Sequence, residues 1–378
     1  SRSLGYGPWA SFFRVALPLA RPGIVAGCLL ALMETLNDFG TVSYFGVDTF
    51  TTGIYRTWTA LGNPVAAAQL SALLLLLVLL LMAVEQFSRR RARYYRQGFK
   101  PNTSRYPLRG IRLVGAWLAC GIPIGLGFVV PALILLNMTL RQGELGRRFW
   151  SYAQNSFLLS TITAAIAVLV AVVVLYGLRL QRGSAWGLRL AVRLSSLGYA
   201  LPGVVIAVGV LIPLGRLDQL LSYLRQVVLQ QPPGLVLSGT IAALVFGYLV
   251  RFLAVALATV EATLARIPPS LDEAARSLGQ GSLGTLLRVH LPLMGGGILG
   301  AMLLVFVDVM KELPATMVLR PFNFDTLAVH TYRMAADERL AEAGAPALAI
   351  VLVGILPVIL LNSQMGRQRH LGSARDPL

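Results

Sequence analysis

Eight apolar runs divide the chain, at 22–44, 66–86, 113–136, 156–178, 194–214, 235–257, 292–313 and 344–362. Each is near the roughly 20 residues that a helix needs to cross a hydrocarbon core. The clearest runs from Ala66 to Val84, with Gln69 and Ser71 as its polar residues. In lipid the backbone must satisfy its own hydrogen bonds, so runs of this length predict helices. The pattern predicts an all-α, polytopic transmembrane bundle. Composition agrees: 56% of the 378 residues are hydrophobic and 13% charged, too few polar side chains to cover a water-soluble domain.

The formal net charge of +17 would suggest nucleic acid in a soluble protein. Here the basic residues lie mainly between the apolar runs, and no aromatic–basic surface pattern accompanies them, so nucleic acid is excluded as a partner. With 1–21 in the cytoplasm, cytoplasmic segments carry 22 Lys and Arg and outer loops carry 9. That excess supports the orientation. Segment 89–112, with Arg89, Arg90, Arg91 and Arg93 ahead of Pro101 and Pro107, predicts a basic cytoplasmic linker that fixes topology and touches anionic lipid. Cys28 and Cys120 sit inside apolar runs without a CxxC or Cys/His partner, which suggests packing residues.

An internal repeat organises the chain. Residues 2–24 recur at an offset of 274, with twelve identities in twenty-three positions and no gap. Arg2-Ser3-Leu4-Gly5 returns as Arg276-Ser277-Leu278-Gly279, and Leu17-Pro18-Leu19 returns as Leu291-Pro292-Leu293. Two halves therefore share an ancestor. About six spans belong to the second copy and two to the first. The chain also opens on Ser1 without a signal peptide. We therefore expect a first half truncated by about four helices, by the span-length rule. The expected division is 1–88 (end of the first half), 89–112 (linker), 113–363 (second half) and 364–378 (cytoplasmic tail).

The repeated segment predicts a short capped helix pair on the cytoplasmic face. Ser270 and Glu273 have capping-box spacing. Gly279 suits the left-handed position that ends a helix. A second short helix should carry Leu283, Leu286, Leu287 and Val289 on its apolar side, and Pro292 should restart the chain into the membrane. Pro8, which aligns with Ser282, fits a first helical turn. Such an exposed knob, present twice, is a docking element; an amphipathic hairpin lying on lipid is the alternative.

Glu273-Ala274-Ala275, Gly279 and Leu291-Pro292 resemble the EAA loop of binding-protein-dependent ABC importers. The first copy keeps Gly5 and Leu17-Pro18, while its Glu-Ala pair would precede Ser1. The resemblance covers essentially the whole chain as a fused permease with two pseudo-symmetric type I halves. It implies that the loop couples to a cytoplasmic ABC ATPase, in two copies, and that an extracytoplasmic binding protein delivers cargo to outer loops 45–65, 137–155, 215–234 and 314–343. No Walker A pattern occurs in the sequence. The chain is thus expected to bind no cofactor and to be a transport subunit, not an enzyme, with ATP used by its partner.

The same offset aligns two acidic pairs inside apolar runs, Glu34 and Asp38 with Asp308 and Glu312. Spacing of i,i+4 would place each pair on one helix face. Ionisable groups at membrane depth are functional candidates by default, and four carboxylates on a central seam could pass a hard cation. Pairing with Lys311, capping of broken helix ends and bonding between halves are the structural alternatives. Thiamine or a polyamine would also fit the chemistry, and the acids alone would fit a gradient-driven secondary transporter. The stretches Glu34–Gly46, Phe50–Tyr55, Asp308–Thr316 and Leu319–Thr326 resemble ferric-iron importer permeases; fusion of halves is shared with thiamine permeases.

His290, His330 and His370 are too scattered for a metal site and suggest ordinary loop residues. Arg251, within a run, should snorkel or pair with an acid such as Glu261. Tyr55 and Tyr332 are expected at the outer interface.

Overall fold

A computed structural model describes residues 7–90, 108–142, 147–181, 186–230, 232 and 236–373. The first-half elements are α1 (Pro8–Ser11), a π-helical turn (Phe12–Ala16), α2 (Leu17–Asn37), α3 (Gly40–Tyr44), α4 (Phe50–Thr59) and α5 (Pro64–Arg90). Next come α6 (Ile111–Ile124), a π turn (Gly125–Val129), α7 (Val130–Gln142), α8 (Arg147–Leu180), α9 (Trp186–Ser195), a 3-10 turn (Gly198–Ala200), α10 (Gly203–Leu229) and α11 (Ile241–Leu264). The chain continues through α12 (Pro269–Ser277), α13 (Ser282–Thr285), a π turn (Leu286–His290), α14 (Leu291–Met310), α15 (Pro314–Leu319), α16 (Leu327–Ala336) and α17 (Leu340–Ser373). No strand occurs among the described residues.

Among the described residues, six helices are long and apolar enough to cross a bilayer, and the pair Trp9–Arg21 and Gly23–Asn37, bent by 60°, would make a seventh. Pro22 lies between the two arms of that bend, where its missing N–H removes a ladder donor. The last expected run falls in α17, whose apolar part is Leu340–Ile355. Several boundaries move. The run 22–44 is not one helix: α2 stops at Asn37 and α3 restarts at Gly40. The run 194–214 is broken by the 3-10 turn, and α10 instead reaches Leu229, through most of the expected outer loop 215–234. Gly5 and most of the linker, 91–107, lie outside the described residues.

The repeat is visible in the backbone. The π turn Phe12–Ala16 and the π turn Leu286–His290 are 274 apart, as are the starts of α2 and α14 and of α3 and α15. All three π turns among the described residues end two residues before a proline: Ala16 before Pro18, Val129 before Pro131, and His290 before Pro292. In each, the residue just ahead of the proline donates to the carbonyl five residues back. The wider turn takes the proline ring without the clash an α-turn would impose. So Pro292 does not restart the chain. α13, the π turn and α14 form one shoulder leading into the membrane, Ser282–Met310.

The second-half core is built where α8, α11 and α14 meet. Ala164, Ala167, Ala171, Ala256 and Ala301 are all buried there; small side chains let helix backbones approach closely, the usual source of packing between helices in lipid. The two halves join through a second cluster, in which Ile54, Ala67 and Leu74 of the first pack against Val204, Val205 and Val208 of α10. Cys28 and Cys120 are both exposed, contrary to a packing role; an apolar helix face toward lipid takes a cysteine as readily as a core does.

Candidate functional site

The ends of α2 and α14 meet at a cavity of about 500 Å³ whose wall includes Glu34, Asp38, Asp308 and Glu312. The helical i,i+4 face does not survive to its end, because Asp38 and Glu312 lie just past the last turns of α2 and α14. Each caps the short helix that follows. Asp38 Oδ1 accepts from the Thr41 N–H at 3.2 Å, and Glu312 Oε1 accepts from the Ala315 N–H at 3.1 Å. Those donors are also 274 apart. A carboxylate at such a position satisfies amides that a broken helix leaves bare.

The halves then diverge. Glu312 is buried and its Oε2 takes a 2.7 Å ion pair from Arg251 Nη1. Arg251 therefore pairs with Glu312, not Glu261: α11 passes directly behind the break after α14. Gly203, the first residue of α10, lies against this pair; a Cβ there would sit 2.4 Å from Glu312 Oε1 and 2.5 Å from Arg251 Nη1. The Gly203 N–H donates to Asn37 Oδ1 of the first half at 3.1 Å. Asp308 is paired with Lys311 at 3.1 Å. Position 37, which aligns with Lys311, is neutral Asn. Glu34 is exposed to the cavity and no hydrogen bond or ion pair joins its carboxylate to another described residue. Four carboxylates thus face two cations, leaving an excess of two negative charges held mostly by the first half. Among the described residues no group of three or more His, Cys, Asp or Glu is placed to hold a metal ion. The cavity lining is thus net acidic, and its described residues form no preformed chelate.

Phe39 is buried at the cavity wall. Its ring lies 4.9 Å from that of Tyr55 and 5.4 Å from that of Tyr332, and Ser43 Oγ and Tyr332 Oη are 2.8 Å apart. The two tyrosines stand at equivalent places on α4 and α16, each six residues after a capping threonine, Thr49 or Thr326.

On the other side, α12 carries Glu273 and Ala274 on an exposed face and Ala275 on a buried one. The expected Ser270–Glu273 capping box is absent. Pro268 is the extended N-cap and Pro269 the first helical residue, with no side-chain cap; the proline pair starts the helix early enough to put Ser270 inside it. Gly279 does end the helix, at φ +76°; its N–H donates to Arg276 O at 2.9 Å, and the Gln280 N–H donates to Ala275 O at 3.0 Å. Leu291 and Pro292 open α14. Leu283 and Leu287 are exposed, while Thr285 and His290 are buried. Leu286 and Val289 are half-buried, so the four expected apolar residues are divided between the surface and the core side.

Sequence reasoning missed Asp272, Arg179 and His290. His290 is no ordinary loop residue: it is fully buried, and its Nε2 lies 2.5 Å from Asp272 Oδ1. Arg179 Nε donates to Asp272 Oδ2 at 2.8 Å. The available signal was Asp272 directly before Glu273-Ala274-Ala275, on the opposite helix face. His330 packs its ring 4.6 Å from that of Tyr152.

Comparison with known proteins follows the same lines. The family described as binding-protein-dependent transport system inner membrane component matches residues 1–94 and 176–368. The "Fe(3+)-transport system permease protein FbpB 2" of Haemophilus influenzae is 28% identical over 372 residues, covering 96% of this chain and 69% of that protein. The "Molybdenum transport system permease protein ModB" of Escherichia coli is 44% identical over only 45 residues, 12% of this chain and 20% of that protein. In fold, the chain is similar to one from a bacterial alginate ABC transporter crystallised with its alginate-bound periplasmic protein, at TM-score 0.52 and 16% identity, covering 66% of this chain and 92% of that one.

Proposed function

From the premise that this chain belongs to the inner-membrane components of binding-protein-dependent transport systems, and so is a multi-pass ABC importer permease, we propose that its cargo is ferric iron. The observation that carries this reading is the similarity, over 96% of this chain, to a ferric-ion permease in a chain whose central cavity has unbalanced carboxylates. An extracytoplasmic binding protein would deliver the cation to the outer side, near Tyr55 and Tyr332. Glu34 and Asp38 would meet it first by charge, as hard oxygen donors for a hard cation. Arg251 and Lys311 temper the field, so that a cation is attracted but not trapped.

ATP would be spent by a separate cytoplasmic subunit seated on α12. Closure of that subunit would displace the loops at Leu17-Pro18 and Glu273–Pro292 and tilt α2 and α14, whose far ends form the cavity. A gradient-driven carrier would have no use for such a docking element. Thiamine or a polyamine remains the second cargo reading, since either is cationic. Proteoliposomes holding the complete transporter, offered ferric iron, thiamine and putrescine, test the choice: ATP-dependent accumulation of iron alone supports it. Accumulation of either organic cation in its place overturns it.

A further inference from the structure

Asp272 is one residue from Glu273 but faces the other way, into the protein. Both of its oxygens are used. Oδ2 receives Arg179 Nε from the end of α8 at 2.8 Å. Oδ1 receives His290 Nε2 from the foot of α14 at 2.5 Å. Arg179 directs its other donors to the carbonyls of Leu264 and Ile267, each at 2.9 Å. These are the end of α11 and the turn into α12. Tyr176, one turn before Arg179, lies 5.3 Å from the His290 ring and donates its hydroxyl to Ser282 O at 2.7 Å. Five elements, α8, α11, α12, α13 and the shoulder of α14, therefore meet within one hydrogen-bonded node. Its histidine is wholly buried, so the node cannot slip without breaking charge-assisted bonds.

Burial alone would raise the Asp272 carboxyl, but hydrogen bonds from Arg179 and His290 outweigh it and hold the group below its ordinary value. It is an anion clamped between two donors. The first half is built differently: position 16, which aligns with His290, is Ala.

We infer that Asp272 is a positioning residue for transport: held between Arg179 and His290, it is the joint through which movement of α12 becomes tilt of α14. The inference rests on the ATP-driven reading above, but not on the identity of the cargo. α12 alone is a nine-residue helix whose outer face meets the partner. Without the joint, the outer face could still bind while the force was lost in the Gly279–Gly281 turn. With it, displacement passes at once to α14, whose far end carries Asp308 and leads into Glu312.

The test uses the full transporter with its ATPase and a reporter that needs no cargo. Leu313, half-buried on the cavity wall just past the end of α14, is changed to Cys where Cys28 and Cys120 are Ser. Labelling by a water-soluble maleimide is timed with and without ATP. The reference protein should change its labelling rate at least about fivefold on adding ATP. Asp272→Asn and Arg179→Lys should keep the ATPase bound yet lose that change; Lys keeps the charge but cannot fork to carboxylate and carbonyls together. His290→Gln, which retains a donor, should preserve more of it than His290→Leu. An undiminished ATP response in Asp272→Asn overturns the joint. So does failure of both Asp272→Asn and Arg179→Lys to assemble, which would make the node a folding element. No ATP response in the reference protein overturns the ATP-driven reading and the joint with it. Failure of iron transport leaves this measurement unaffected.

Discussion

At the scale of single residues, the Arg251–Glu312 pair and the Asp272 node make similar contacts for different ends. The first is almost wholly buried, with side chains 7% and 6% exposed. Removing one member of such a pair leaves an uncompensated buried charge, at a cost of about 3–5 kcal/mol. Glu312→Gln should therefore lower the melting temperature of the solubilised protein markedly, whereas Glu34→Gln, with no hydrogen bond or ion pair to lose, should change stability by less than about 1 kcal/mol. Thermal unfolding in detergent checks both. Asp272 makes a pH prediction. Its native carboxyl lies below the ordinary 3.8, so its contribution is present in full above that value and lost as pH falls below it. The stability gap between wild type and Asp272→Asn should close as pH falls below about 4; a gap that persisted well below that value would contradict the clamped anion. The acidic pairs were legible from the repeat, since both copies place carboxylates at the same register. Their partners were not: Arg251 and Glu312 are 61 residues apart, and no local spacing announces a contact made by packing one helix behind another.

At the scale of elements, the recurring device is an interruption that proline or a carboxylate makes tolerable. Prolines two residues beyond each π turn, and acids capping α3 and α15, let spans bend or break without bare amides. Asp218 does the same for a loop. Buried on α10, it accepts from the N–H groups of Val236, Leu237 and Ser238 at 2.9, 2.7 and 2.6 Å. Asp218→Asn cannot accept all three through one amide oxygen without turning its NH₂ toward a donor, and should cost about 1–3 kcal/mol, seen as earlier proteolysis near 236 or a lower melting temperature. Apolar length located the helices because every buried backbone group must be paired. Ends escaped the sequence reading for the same reason that the capping box failed. Spacing identifies groups able to cap, while neighbouring prolines decide which residue is inside the helix.

At the scale of the whole molecule, the repeat made a two-half architecture legible from Arg2 through Ile24 and their counterparts alone. It could not show that the halves had diverged in charge, with Asn37 opposite Lys311 and Ala16 opposite His290. The consequence is a cavity whose unpaired negative charge sits on the first half and a hydrogen-bonded node at Asp272 that has no counterpart to its histidine in the first half. Neutralising both Glu34 and Asp308 (Glu34→Gln with Asp308→Asn) should reduce cation uptake at least about tenfold while the ATPase still co-purifies; unchanged uptake would make these acids structural. The most direct measurement is the initial rate of labelled ferric-iron uptake by cells carrying the transporter with its binding protein, with an active or a hydrolysis-dead ATPase subunit. Uptake that requires the active ATPase is the result expected of an ATP-driven ferric-iron permease. Equal iron uptake with either ATPase, or ATP-dependent uptake of thiamine with none of iron, would contradict it.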